Sequence, residues 1–250
     1  MKIKSTHTIS YFETDSTYMA KLSFLFQHLQ NAAVMHSEKA GYQMDQLIQG
    51  GQGWVLNKME MKIIRYPRYA ETIDIATWSR GMKGVKAKRE FLVSANGDTL
   101  IAASSVWIFV DSVHMKIIRI PEDMESNYTI HADIALNENL EKWRAVKDVT
   151  MDFQQNVTTR SSDYDPMGHV NNTVYFDFLE TAIQRKLRLP VRISHVKMQY
   201  IQELDTAINQ VHVNLQEVDG KYLFAITDGR QINAAGELII RDALPDQQNR

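Results

Sequence analysis

Asp165-Pro166-Met167-Gly168-His169-Val170-Asn171-Asn172 packs an acid, an imidazole, a glycine and two amides into eight residues. A helical pattern follows at once: Val170, Val174, Phe178 and Ala182 recur at i, i+4, with Tyr175, Leu179 and Ile183 alongside. The polar cluster therefore lies where the chain enters a buried helix, predicted over 170–187. The first backbone N–H groups of a helix lack intrahelical partners, and that end carries partial positive charge. It can hold an oxyanion. The same spacing also suits an asparagine-capped helix whose acid and imidazole only close a turn.

Upstream of this stretch the chain shows the same order once before. Met19, Leu22, Phe26, Leu29 and Ala33 predict an amphipathic helix running to about His36, with Asp15 and Ser16 as caps. After Gly50-Gly51-Gln52-Gly53 the period falls to two. Val55, Met59, Met61 and Ile63 alternate with Lys58, Glu60 and Lys62, which predicts a half-buried strand. Further strands are expected at 73–77 after the break at Tyr66-Pro67-Arg68, at 85–93, and at 100–110 after the Asn96-Gly97 hairpin turn. Residues 1–12 suggest a weaker strand.

Downstream of the central stretch, the helix is followed by apolar alternation over 193–200, 208–215, 222–227 and 231–240. One long helix followed by four strands thus occurs twice, and internal duplication is the simplest account. Both helices are too apolar to be covered on one side. An antiparallel sheet curled around each would bury them, and pairing the two sheets edge to edge would hide strand edges. Residues 111–150 carry the least pattern, with Trp143 as a lone large anchor. The boundary between an N-terminal domain (1–135) and a C-terminal domain (136–250) is expected there.

Composition excludes several classes. The 28 Lys+Arg against 30 Asp+Glu create no global field for nucleic acid or a membrane surface. There is no cysteine, so disulfides, thiolate catalysis and cysteine metal sites are excluded. No apolar run approaches the roughly 20 residues of a membrane span. The start, Met1 to Thr6, lacks the apolar core of a signal peptide. A cytoplasmic protein is expected. The eight histidines show no His-x-x-x-His pair, so no metal site is expected. The glycines at 50–53 lack the context of a phosphate loop.

Two quoted stretches carry a family likeness. Trp54-Val55-Leu56-Asn57-Lys58-Met59 through Arg65-Tyr66-Pro67-Arg68-Tyr69 to Ile75-Ala76-Thr77-Trp78, together with Asp165 to Tyr175, resembles the acyl-acyl carrier protein thioesterases. The second stretch is similar to their signature Asp-x-Asn-x-His-Val-Asn-Asn-x-x-Tyr. The resemblance implies an α+β tandem double hotdog. It also implies hydrolysis of fatty acyl-carrier protein without a cofactor, at a site containing Asp165 and His169. An acidic residue is implied thirty-four positions after that histidine, where Glu203 stands. Two positions depart from the family: Met167 replaces the signature asparagine, and Leu204 replaces the cysteine of plant members. Asp-x-Met-Gly-His also occurs in coenzyme A thioesterases of hotdog fold. An acyl-CoA thioesterase and a non-catalytic acyl-binding protein are the alternatives.

Thioester hydrolysis needs an activated water or nucleophile and a group that stabilises the oxyanion. Glu203 is the best candidate base; a solvated strand-end acid is the bland alternative. Asp165 could orient His169, act as base itself, or only form a turn. His169 could polarise the thioester or shuttle a proton. Backbone N–H groups of Gly168, Val170, Asn171 and Asn172 are candidates for the oxyanion hole, although the glycine also suits a positive φ. Met59 and Met61 could line an acyl tunnel. Arg65, Arg68, Lys83, Lys86, Lys88 and Arg89 are expected to form a basic face for an acidic carrier protein. The Asp15–Met19 segment offers no imidazole, so one site per chain is expected. A homodimer is an open expectation.

Overall fold

The computed structural model describes residues 2–114, 116–148, 152–188 and 191–242. In chain order the first half contains β1 (Ile3–Thr8), α1 (Leu22–Lys39), α2 (Met44–Gln49), β2 (Gln52–Ile63), β3 (Thr72–Lys83), β4 (Lys86–Ala95), β5 (Asp98–Asp111), β6 (Lys116–Ile117) and α3 (Glu122–Asn127). The second half contains β7 (Phe153–Thr158), α4 (Val174–Leu187), β8 (Val191–Tyr200), β9 (Gln210–Val218), β10 (Lys221–Thr227) and β11 (Ile232–Asp242). All strands belong to one antiparallel sheet ordered β1-β3-β4-β5-β2-β8-β11-β10-β9-β7, with the short β6 beside β5. The order of the first five strands is repeated in reverse by the last five. The two halves meet where Met59 pairs with Met198 across β2 and β8. This is the tandem double hotdog that the resemblance implies.

Of the alternation read in β2, Met59, Met61 and Ile63 are buried on the core face, whereas Val55 is only half-buried and Leu56 takes its place in the core. Asn57 falls at a bulge where the register with β5 slips, which re-aims the strand beside the cavity described below. The helices lie against this face and against each other, with Phe26 of α1 and Phe176 of α4 edge to face at 5.1 Å between centroids. One continuous apolar core therefore serves both halves. Burial on nearly every side explains why neither helix shows a polar stripe of ordinary width.

Lys58 and Glu60 depart from expectation. Alternation predicted a solvated outer face for β2, yet both are buried, as is Glu90 of β4. The cause is the poorly patterned segment after α3, which lies across the convex face as a strap. Ile130 bridges to Ser79, and the Asp133 carbonyl accepts the Trp78 indole N–H at 2.8 Å. The Ala135 N–H donates to Glu90 (3.0 Å), and the Asn137 side chain donates to Glu60. The Lys58 ammonium donates to the carbonyls of Glu141 (2.7 Å) and Trp143 (2.6 Å). Burial, with Arg144 and Lys86 nearby, pushes the Lys58 pKa down to about 8. No helix among the described residues is long and apolar enough to cross a membrane.

Candidate functional site

The predicted helix over 170–187 begins later, at Val174, because residues 165–173 are folded into a set of turns. Asp165 organises them. Its Oδ1 accepts the Met167 N–H (2.9 Å) and, more weakly, that of His169 (3.4 Å). Its own N–H donates to the His169 carbonyl at 2.9 Å. Gly168 holds a φ of +80°, which a glycine adopts without the steric cost met by other residues. Asn171 then caps the helix start: its Oδ1 accepts the Thr173 N–H at 3.0 Å and hydroxyl at 2.9 Å. Both bland alternatives for Asp165 and Asn171, turn former and cap, are thus present in the geometry.

This turn projects the His169 ring toward the segment after β8. His169 Nε2 lies 3.2 Å from Glu203 Oε2, with the two side chains about a quarter and a third exposed. The Val170 N–H donates to the Leu204 carbonyl (2.8 Å) and His169 forms a bridge with Asp205, which fixes the two segments side by side. Asn233 of β11 supports the Glu203 backbone, donating to its carbonyl at 3.2 Å and accepting from the Ile201 and Gln202 N–H groups. Tyr200 donates its hydroxyl to the Asn172 carbonyl (2.9 Å), and its ring packs edge-on against Tyr175. The Asp165 carboxylate is occupied by the backbone rather than by the imidazole.

The four candidate oxyanion donors separate here. The N–H groups of Gly168, Val170 and Asn171 donate to the carbonyls of Asp165, Leu204 and Asp163. Among the described residues only the Asn172 N–H of the four is left without an acceptor. Hydrogen bonding that depends on Leu204 and Asp163 cannot be read from the local stretch.

Asp165, His169, Asn171, Asn172 and Glu203 line one end of a cavity of about 830 Å³ that runs between the halves. Its walls come mainly from the first half: Ala33 and Val34 of α1, Trp54 and Leu56 of β2, Met82, Trp107 and Val110. Met59 and Met61, expected as tunnel residues, are packed in the core and do not line it. Polar groups reappear on the wall as Arg89, Ser37 and Tyr128. Arg89 Nη1 meets His36 Nδ1 at 2.7 Å and Thr77 Oγ1 at 3.3 Å, and Ser37 bonds the Tyr128 hydroxyl at 2.6 Å. Burial, then the neighbouring Arg89, pushes the His36 pKa down to about 4. Burial lowers that of Arg89 to about 10. No motif or spacing in the chain marks this second polar group.

The expected basic face is not assembled. Arg89 is buried and lines the cavity. Arg65 and Arg68 follow β2, while Lys83 and Lys86 flank the β3–β4 turn, so the two groups lie at opposite ends of twelve-residue β3, roughly 35 Å apart. Arg65 pairs with Glu71 at 2.6 Å. Lys86 and Lys88 both pair with Glu141 of the strap at 3.0 Å, and they hold its carboxyl at about 2. Sequence proximity clustered cations that strand direction separates.

The first half repeats the turn but not the site. Asp15 Oδ1 accepts the N–H groups of Thr17 (2.8 Å) and Met19 (3.3 Å), and its N–H donates to the Met19 carbonyl (2.9 Å). The Ala20 N–H donates to Pro67, as Val170 does to Leu204. Met19 therefore stands where His169 stands, and Tyr66 where Glu203 stands. Arg192 of β8 fills the space, 2.5 Å from Asp15 and over the Tyr66 ring at 5.1 Å.

A family model described as the acyl-ACP thioesterase N-terminal domain matches residues 1–128, and one described as the acyl-ACP thioesterase C-terminal domain matches residues 146–238. The chloroplastic palmitoyl-acyl carrier protein thioesterase of Arabidopsis thaliana is 28% identical over 194 residues, covering 72% of this chain and 47% of that protein. Its Gossypium hirsutum namesake is 25% identical over 256 residues, covering 90% and 60%. The chain thus spans about half to three-fifths of the length of these relatives. Among solved structures, an acyl-ACP thioesterase from Bacteroides thetaiotaomicron superposes with a TM-score of 0.83 at 20% identity, covering 96% of this chain and 98% of that one. The 12:0-ACP thioesterase from Umbellularia californica gives 0.82 at 18%, covering 96% and 97%. These two share the fold.

Proposed function

Because the chain belongs to the acyl-acyl carrier protein thioesterase family, we propose that it hydrolyses fatty acyl-carrier protein to a free fatty acid and the carrier thiol. The observation that carries this is the His169–Glu203 contact of 3.2 Å in the wall of a largely apolar cavity of about 830 Å³. In this mechanism Glu203 takes a proton from water as the oxygen attacks the thioester carbonyl. The His169 imidazole, 3.2 Å away, holds the carboxylate in place for that transfer. The free Asn172 N–H stabilises the oxyanion, and collapse of the tetrahedral species expels the thiolate, which regains the proton from Glu203. Asp165 is a positioning residue, since its carboxylate shapes the turn that carries His169.

Residues 1–135 act in this scheme as the domain that forms the acyl pocket, and residues 136–250 as the catalytic domain. Each chain has one site, because Met19 and Tyr66 can neither transfer a proton near neutral pH nor replace the imidazole–carboxylate pair. No cofactor or metal takes part in the hydrolysis, and the reaction belongs in the cytoplasm. The test is release of thiol from a panel of acyl-carrier proteins, with the same acyl groups on coenzyme A in parallel. Faster turnover on coenzyme A would make it an acyl-CoA thioesterase, and saturable acyl binding without turnover would make it a binding protein.

A further inference from the structure

The turn that precedes Asp15 contains a cluster the hydrolysis does not use. Glu13, whose side chain is only 4% exposed, receives three groups from three different elements. His7 Nε2 of β1 lies 3.0 and 2.8 Å from its two oxygens, and His28 Nε2 of α1 lies 2.7 Å from Oε1. The third is the Ser10 N–H at 2.6 Å. The imidazoles face each other with centroids 3.9 Å apart and remain a fifth to a third exposed, so an ion can reach them from solvent.

The second half shows what a buried acid at this position ordinarily has. Asp163 occupies the matching place, and Arg160 neutralises it with Nε at 2.9 Å and Nη2 at 2.8 Å. Ser10 replaces that arginine in the first half. Two imidazoles take over, and each brings a ring nitrogen to the carboxylate in place of the guanidinium. Two neutral nitrogens and a carboxylate oxygen are also the ligand types that hold zinc-class ions.

We propose that His7, Glu13 and His28 bind one divalent transition-metal ion of the zinc class, with water completing the coordination. The three ligand atoms lie within 4.8 Å of one another. Ligand bonds of about 2.0–2.1 Å in a tetrahedron require separations of about 3.3 Å. The carboxylate–imidazole distances need only widen by about 0.5 Å, within reach of small side-chain rotations. The Ser10 N–H then acts as the outer partner that orients the carboxylate. The ion is structural: it clamps edge strand β1 to α1, the helix whose Ala33 and Val34 wall the cavity. It is independent of the proposed hydrolysis.

The test uses untagged full-length protein, stripped with chelator and titrated with Zn²⁺ by calorimetry, with Co²⁺ absorption reporting imidazole ligation. One equivalent should bind per chain and raise the thermal midpoint. His7→Gln and His28→Gln should each weaken binding by about 100-fold or more and lose the midpoint shift, whereas His114→Gln, at an exposed His–Asp pair, should behave as wild type. His7 lies on the half-exposed edge strand, so its variant folds even if that of His28 does not. Absence of saturable uptake by the wild type, or unchanged uptake by the His7 variant, overturns the site.

Discussion

Replacing Glu203 by glutamine tests the proposed chemistry with the smallest change in shape. The amide keeps an oxygen 3.2 Å from His169 Nε2 and preserves that contact, but it cannot accept a proton from water. Loss of a general base lowers the rate by about 10²–10⁴. At 1.36 kcal/mol per tenfold that corresponds to about 3–5 kcal/mol of transition-state stabilisation. Stability should barely move. Both side chains are a quarter to a third exposed, and an ion pair so placed contributes no more than about 1 kcal/mol. The assay follows carrier thiol with a thiol-reactive dye, and the absence of cysteine from the chain removes enzyme background. The expected result is a kcat reduced at least 100-fold at unchanged thermal midpoint. Turnover within threefold of wild type would remove Glu203 as base.

Asp165→Asn should keep most activity, because its Oδ1 still accepts from Met167 and His169. Asp165→Ala should lower both kcat and stability, by about 1 kcal/mol for the latter; equal collapse of kcat in both would make the carboxylate charge itself catalytic. Gly236→Ala should destabilise by about 3 kcal/mol or more. Its Cβ would overlap the Lys197 carbonyl oxygen and lie 2.7 Å from Phe224, and denaturant unfolding reads the loss. His36 sets a pH dependence. Its folded pKa is about 4 against about 6.5 unfolded, so below pH 6.5 the unfolded chain gains a proton that the native one refuses. Stability should fall between pH 6.5 and 4, by no more than about 3 kcal/mol from this group. His36→Gln should flatten that slope, and an unaltered slope would assign it to other groups.

The long helices α1 and α4 and the eight inner strands were legible because each buries an apolar face, which imposes a period; the six-residue α2 and α3 are too short to show one. Edge strand β7 was not seen and β1 only weakly: residues such as Gln154, Asn156 and Thr158 are exposed, so no apolar repeat marks them. The strap was opaque for a different reason. It satisfies Lys58, Glu60 and Glu90 with irregular backbone and isolated side chains, and irregular structure has no period. Asp165, His169 and Glu203 were found through family likeness, and chain order could not have paired residues thirty-four positions apart. Arg89 with His36, and His7 with Glu13 and His28, are brought together from separate elements at spacings that match no motif.

The repeated turn at Asp15 and Asp165 has a consequence for inheritance. When two identical subunits build such a sheet, every substitution is made twice, and a change that widens a pocket wall also alters the helix behind the other catalytic loop. With both copies written separately in one chain, α1 can vary while α4 keeps the packing that presents His169. Arg192 could settle over Tyr66 without obstructing anything at Glu203. Under the proposed function, selectivity for the acyl group and the chemistry on its thioester can therefore drift at different rates, each on its own half of the gene.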